Sequence, residues 1–101
     1  MGDTNLNLYK IFCVVAESKN YKEAGEKLFL TESTISSHIS NLEKQLDIIL
    51  FYRERDGLTL TRDGKELYDS IHEKIKDIEF AENALIQNHD ISKAKITNGI
   101  I

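Results

Sequence analysis

Residues 31–46 read TESTISSHISNLEKQL, and Ile35, Ile39, Leu42 and Leu46 recur there at the spacing of one helical face. The opposite face carries Ser33, Ser37, Ser40, Asn41 and Lys44. One side is therefore built to sit on a core. The other is a strip of short polar side chains with a single positive charge. A plain solvated helix more often carries Glu, Lys and Gln, because Ser, Thr and Asn are mediocre helix formers. Short hydroxyls let a helix approach a polyanion without steric bulk, and they hydrogen-bond phosphates or base edges. The strip reads as a recognition helix; the plainer alternative is a hydroxyl-rich solvated face, and the flanking sequence has to decide between them.

Immediately upstream, Thr31 caps this helix and Glu32 sits at its positive N-terminus. Phe29 and Leu30 form a turn, preceded by a short helix over Tyr21–Leu28 with Tyr21, Ala24, Gly25 and Leu28 facing in. Asn20 and Glu23 read as a capping box for that short helix. Short helix, three-residue turn, longer helix is the helix-turn-helix plan, here without a glycine in the turn. Further upstream, Asn5 caps a helix running to about Ser18. Leu6, Tyr9, Phe12, Cys13 and Ala16 make one face, widened by Leu8, Ile11, Val14 and Val15, so this is the central helix of a small bundle. Cys13 falls inside the apolar set and is read as a small core residue.

Downstream the period changes. Residues 48–53 and 58–60 are short β-prone runs, and residues 54–57 (ERDG) between them have turn chemistry. This predicts a two-stranded hairpin, a wing carrying Arg53 and Arg55. Thr61 then caps a long helix to about His89. Leu67, Ile71, Ile75, Ile78, Ala81 and Leu85 form its apolar stripe, and with no partner left for the distal half, the stripe is expected to pair with a second copy. Residues 91–101 read as a linker followed by the start of a strand. The predicted fold is mainly α: a winged helix-turn-helix (three-helix bundle plus two-stranded β wing) over residues 1–61, then a dimerisation helix over 62–90.

Composition bounds the function. The chain has 101 residues, 41% hydrophobic and 30% charged, which are globular values. Net charge is -4, and it is spread evenly: residues 1–66 hold 9 Lys/Arg against 11 Asp/Glu, and residues 67–101 hold 4 against 6. A nucleic-acid surface here must be a local positive patch on an acidic body. A single cysteine excludes a disulfide framework and suits a reducing compartment. The longest apolar run, residues 11–16, is far too short for a membrane span, so a cytoplasmic protein is expected. His38, His72 and His89 are far apart, with no second ligand at metal spacing. No phosphate loop, paired-carboxylate site or nucleophile elbow is present, so neither enzyme chemistry nor a cofactor or metal is expected.

In order and spacing these elements resemble the N-terminal DNA-binding domain and linker helix of LysR-type transcriptional regulators, over residues 6 to about 89. The resemblance lies in Phe12 with Val15-Ala16-Glu17; Asn20-Tyr21, Ala24-Gly25 and Leu28; Thr31, Ser36, Ile39 and Leu42-Glu43; and Leu46, Leu50-Phe51, Arg53, Leu60-Thr61 and Gly64. It implies a homodimer joined through the long helix, with recognition helices in successive major grooves of an interrupted palindromic operator on double-stranded DNA. The wings would touch minor groove or backbone. DNA-facing residues would be Thr31, Glu32, Ser33, Ser36, Ser37, Ser40, Asn41 and Lys44 on the helix, with Arg53 and Arg55 on the wing. A small-molecule co-inducer would act only through an effector domain, whose first strand residues 95–101 resemble. The chain thus reads as a fragment or truncated form able to bind DNA but not to sense.

Three positions depart from the family's frequent residues: Glu32 stands for Gln, and Ser37 and Asp56 each stand for Arg. Two lost cations should weaken nonspecific binding and flatten its salt dependence. Arg55, beside Asp56, is placed to compensate. The rival reading is a winged helix that binds protein, or dimerises, without binding DNA.

Overall fold

The structure is a computed structural model that describes residues 5–55 and 57–100, with side chains described at 5–55 and 57–89. In chain order it contains α1 (Leu6–Ala16), α2 (Tyr21–Leu28), α3 (Glu32–Leu46), β1 (Phe51–Glu54), β2 (Gly57–Leu60) and α4 (Arg62–Ile100). The three-helix bundle with a two-stranded wing and a long terminal helix is the architecture expected.

The first three helices start where a side chain can satisfy an open backbone donor. Leu8 N donates to Asn5 Oδ1 at 3.0 Å, Glu23 N to Asn20 Oδ1 at 2.8 Å, and Thr34 N to Thr31 Oγ1 at 3.1 Å. The Glu23 carboxylate pairs with Lys27 at 3.4 Å, so the capping box is half formed. α1 stops at Ala16, two residues short of expectation, because the buried Ser18 hydroxyl turns back and donates to Val14 O at 2.6 Å.

The core gathers Leu8, Ile11, Phe12, Cys13 and Val15 of α1, Ala24 of α2 and Ile35, Ile39 and Leu42 of α3. Leu50 and Phe51 bring the base of the wing into it, and the Phe12 and Phe51 rings pack tilted with centroids 5.5 Å apart. α1 is the hub, packing against α2, α3 and α4. Each such buried aliphatic side chain contributes roughly 1.5–3 kcal/mol.

β1 and β2 are antiparallel, with Phe51 opposite Leu60 and Glu54 opposite Gly57. The base of this hairpin is tied to α3 and α4. The Glu43 carboxylate accepts from Leu50 N at 2.7 Å and Phe51 N at 3.4 Å. Thr61 Oγ1 donates to Ile49 O at 2.7 Å and accepts from Gly64 N at 2.9 Å, so one hydroxyl closes the wing and caps α4.

α4 departs from expectation in its length. It runs on to Ile100, through residues read as a linker and the start of a strand. Those residues hold no proline, and Ser92-Lys93-Ala94-Lys95 extends a helix without a steric break. The first part of its apolar stripe packs on its own domain. Ile75 is only 5% exposed, inside the core, and Leu67 and Ile71 pack against that core. Ile75 therefore holds α4 to its own domain, while Leu67 and Ile71 are half-buried beside it. Among the stripe residues, Ile78 (38% exposed), Ala81 and Leu85 (61%) remain open.

Candidate nucleic-acid interface

α3 presents the polar strip its sequence announces. Ile35, Ile39 and Leu42 are buried, while Glu32, Ser33, Ser37, Asn41 and Lys44 are exposed and Ser36 and Ser40 half-buried. Together with His38, Ser33, Ser36, Ser37, Ser40, Asn41 and Lys44 line one open polar surface. The Asn41 Oδ1 accepts from Gln45 Nε2 at 3.3 Å, one turn further along. Thr31 is exposed beside this surface; besides capping α3, its hydroxyl donates to Thr34 Oγ1 at 2.8 Å. Its hydroxyl thereby fixes the start of the helix.

A second groove joins this surface at the N-terminus of α3. It is lined from α2 by Asn20, Tyr21 and Lys22, from α3 by Glu32, Ser33 and Ser36, and from the wing by Arg53, Glu54, Arg55, Gly57 and Leu58. Ser33 and Ser36 belong to both surfaces, so the recognition-helix face and the inner side of the wing are continuous. Lys22, Lys44, Arg53 and Arg55 supply positive charge there, against Glu32 and Glu54. This is the local patch that an acidic body requires.

The two wing arginines differ. Arg53 leans back onto the helices: its Nη2 donates to Ser36 Oγ at 2.9 Å, and its guanidinium lies 5.4 Å from the Tyr21 ring centroid. Arg55 lies in the connection between Glu54 and Gly57 at the tip of the hairpin. The wing's position is set by packing at Gly57, whose φ is +156°. A Cβ there would run into the carbonyl oxygen of Lys19, which instead accepts from Leu58 N at 3.1 Å. The wing is thus docked on the α1–α2 turn.

Two parts of the site were not foreseen from sequence. Tyr21 was read simply as an inward-facing residue; it is half-buried against the core and offers a ring face to Arg53. A tyrosine instead of an aliphatic residue at that apolar position was the available signal. Gly25, expected to face inward, is also a position where a side chain has no room. What needs the space is the α2–α3 turn: a Cβ at Gly25 would lie 2.5 Å from Leu30 O, while Leu30 N donates to Gly25 O at 3.0 Å.

Burial first, and the Glu17 and Glu79 carboxylates second, push the Cys13 thiol up to about 11. His72 stacks on Tyr68 with centroids 4.6 Å apart, and the Tyr68 hydroxyl donates to Glu17 at 2.5 Å. That hydrogen bond to Glu17 is the main reason the Tyr68 phenol rises to about 12. Among the described residues there is no cluster of His, Cys, Asp and Glu able to hold a metal ion, and no helix long and apolar enough to cross a membrane.

The family model for the bacterial regulatory helix-turn-helix protein, lysR family, matches residues 6–65. An uncharacterized HTH-type transcriptional regulator of Methanocaldococcus jannaschii is 38% identical over 76 residues, covering 75% of this chain and 25% of that protein. The chain thus spans about a quarter of that relative's length. Among solved structures, full-length AphB of Vibrio cholerae superposes with a TM-score of 0.78 at 24% identity, covering 81% of this chain and 28% of AphB. The BenM DNA-binding domain, in complex with benA site 1 DNA, superposes with a TM-score of 0.73 at 23% identity, covering 83% of this chain and 98% of that one. The matched residues run from the start of α1 through the wing to the first turn of α4, the whole of the helix-turn-helix and its hairpin, and the chain belongs to the lysR family of bacterial regulatory helix-turn-helix proteins.

Proposed function

We propose that this chain is the DNA-binding part of a LysR-type transcriptional regulator, reading an interrupted palindromic operator on double-stranded DNA as a homodimer. The observation that carries the reading is the continuity of the α3 face with the inner side of the wing, joined at the Arg53–Ser36 hydrogen bond. α3 enters a major groove, with Ser33, Ser36, Ser37, Ser40, Asn41 and Lys44 toward the DNA and Glu32 at the leading end. A carboxylate at that position accepts from cytosine N4 and repels phosphate, which restricts the sequences tolerated. Arg53 and Arg55 act on backbone or minor groove. The open distal face of α4, including Ile78, Ala81 and Leu85, joins two copies. Two half-site contacts on one rigid object then bind with a high effective concentration, which offsets the modest charge of each. The fold likeness to the BenM domain, which is held on DNA, supports the reading. The work assigned to the chain is binding, without a catalytic step, in the cytoplasm. Co-inducer sensing falls to an effector domain outside the part of the relatives that this chain matches.

Fluorescence anisotropy against a labelled duplex of mixed sequence, repeated at two salt concentrations, tests this. Wild type should bind, more weakly at the higher salt. Ser37→Glu should abolish binding while its circular dichroism stays unchanged. Arg53→Ala should weaken binding to all sequences and reduce the slope of log K against log salt by about one. No binding by wild type at either salt would overturn the reading in favour of a protein-binding winged helix.

A further inference from the structure

We propose that Tyr21 is a positioning residue for this DNA contact: its ring holds the Arg53 guanidinium beside Ser36, so that arginine and serine grip one backbone phosphate as a unit. This rests on the DNA-binding reading above. Arg53 is exposed on β1, and a free arginine there would sample many rotamers. Two contacts restrict it, the 2.9 Å hydrogen bond to Ser36 and the Tyr21 ring 5.4 Å below its guanidinium. The ring is itself fixed. Tyr21 is the first residue of α2, held from behind by the core and along the backbone by the Asn20 cap.

The hydrogen-bond inventory gives the pair its direction. A serine hydroxyl has one proton and two acceptor positions, and a guanidinium has five donors. At Ser36 the oxygen accepts from Arg53, which leaves the hydroxyl proton to be donated elsewhere. One Arg53 donor is spent on Ser36, so others remain for a ligand. Neighbouring donors, one of them charged, suit a phosphate oxygen far better than a mixed donor–acceptor base edge. Arg53 therefore belongs functionally to the recognition helix, and Arg55 at the hairpin tip acts separately.

The test is a set of anisotropy titrations against the mixed-sequence duplex. Tyr21→Leu should weaken binding about two- to five-fold, the size of an exposed cation–π contact. Tyr21→Phe, which keeps the ring, should bind as wild type. In an Arg53→Ala background Tyr21→Leu should cost nothing further. An equal cost in both backgrounds would mean a merely structural role and overturn the proposal. Should Tyr21→Leu fail to fold, a cycle between Ser36→Ala and Arg53→Ala decides instead. The double variant should bind as weakly as Arg53→Ala alone; additive losses would overturn the unit. Arg53→Ala and Arg55→Ala should add. In the DNA-free protein, the Arg53 side-chain resonances should carry a ring shift that Tyr21→Phe keeps. Its absence would overturn the positioning role even where DNA binds. Absence of wild-type binding at either salt, with the ring shift present, would instead sink the DNA-binding reading and with it this use of the pair.

Discussion

Phe29 makes the bend between α2 and α3 in a left-handed conformation, φ 58° and ψ 41°, with its side chain 93% exposed. The usual occupant of such a position is glycine or asparagine, since a Cβ costs roughly 1–2 kcal/mol there. Phe29 recovers none of that by burial. Phe29→Asn should therefore raise stability by about 0.5–1 kcal/mol, read as a higher urea midpoint at unchanged slope. Cys13 gives a prediction with a definite sign in pH. Its thiol rises from 9.0 to about 11 in the folded chain, so the folded state keeps a proton that the unfolded state releases. The resulting stability is fully present below pH 9 and is lost as pH rises from 9 through 11. Tyr68, raised from 10.0 to about 12, adds a loss of the same sign at higher pH. Wild type should thus lose more of its urea midpoint between pH 8 and pH 10 than Cys13→Ala does. Equal losses would place the alkaline sensitivity elsewhere.

At the level of elements, the wing is set by its docking as much as by its own pairing. Only four residue pairs link β1 and β2, and an isolated hairpin of that size is marginal in water. It is held from outside, by Glu43 and Thr61 at its base and by Lys19 O against Gly57 and Leu58. Gly57→Ala puts a side chain on a backbone with φ +156° and drives it into the Lys19 carbonyl. It should cost about 1–3 kcal/mol of stability. It should also accelerate amide exchange at Leu58 and Thr59 before the helices are affected, measurable by hydrogen exchange. The same contact aims the wing, so this variant should weaken duplex binding beyond its effect on the folded fraction.

On the scale of the molecule, α4 dominates. Its 39 residues span about 58 Å at 1.5 Å per residue, and the chain measures 60 × 28 × 21 Å. The helix is anchored at one end by Leu67, Ile71 and Ile75, and Lys10 of α1 reaches Glu82 at 3.2 Å. Beyond that, Ile78, Leu85 and Ile86 lie open to solvent, 38%, 61% and 57% exposed. Ile75→Asp should therefore unfold the domain, since it buries a carboxylate among aliphatic side chains without a partner. Ile78→Asp with Leu85→Asp should give a folded monomer that loses operator binding by orders of magnitude. Sedimentation equilibrium checks the first half of that expectation. A dimer surviving both changes would move the interface away from this face of α4.

Much of the protein is written in local pattern. The helix spacing of Ile35, Ile39 and Leu42, the caps at Asn5, Asn20, Thr31 and Thr61, and the turn residues between β1 and β2 depend only on neighbours in the chain. Periodicity therefore reported the order of elements and the polar face of α3. It could not report which residue of the α4 stripe the core buries. Leu67, Ile71 and Ile75 lie on the same helical stripe as Ile78 and Leu85, and only the packing of α1 against α4 separates them. Nor could it assign Arg53 to the recognition helix, because Ser36 and Tyr21 lie 17 and 32 positions away along the chain. Such contacts arise when the wing docks on the α1–α2 turn, a placement governed by Gly57 against Lys19. Short-range backbone and burial preferences determined the elements from sequence alone; the tertiary fold decided which faces were consumed by the core and which side chains, far apart in the chain, meet at the site.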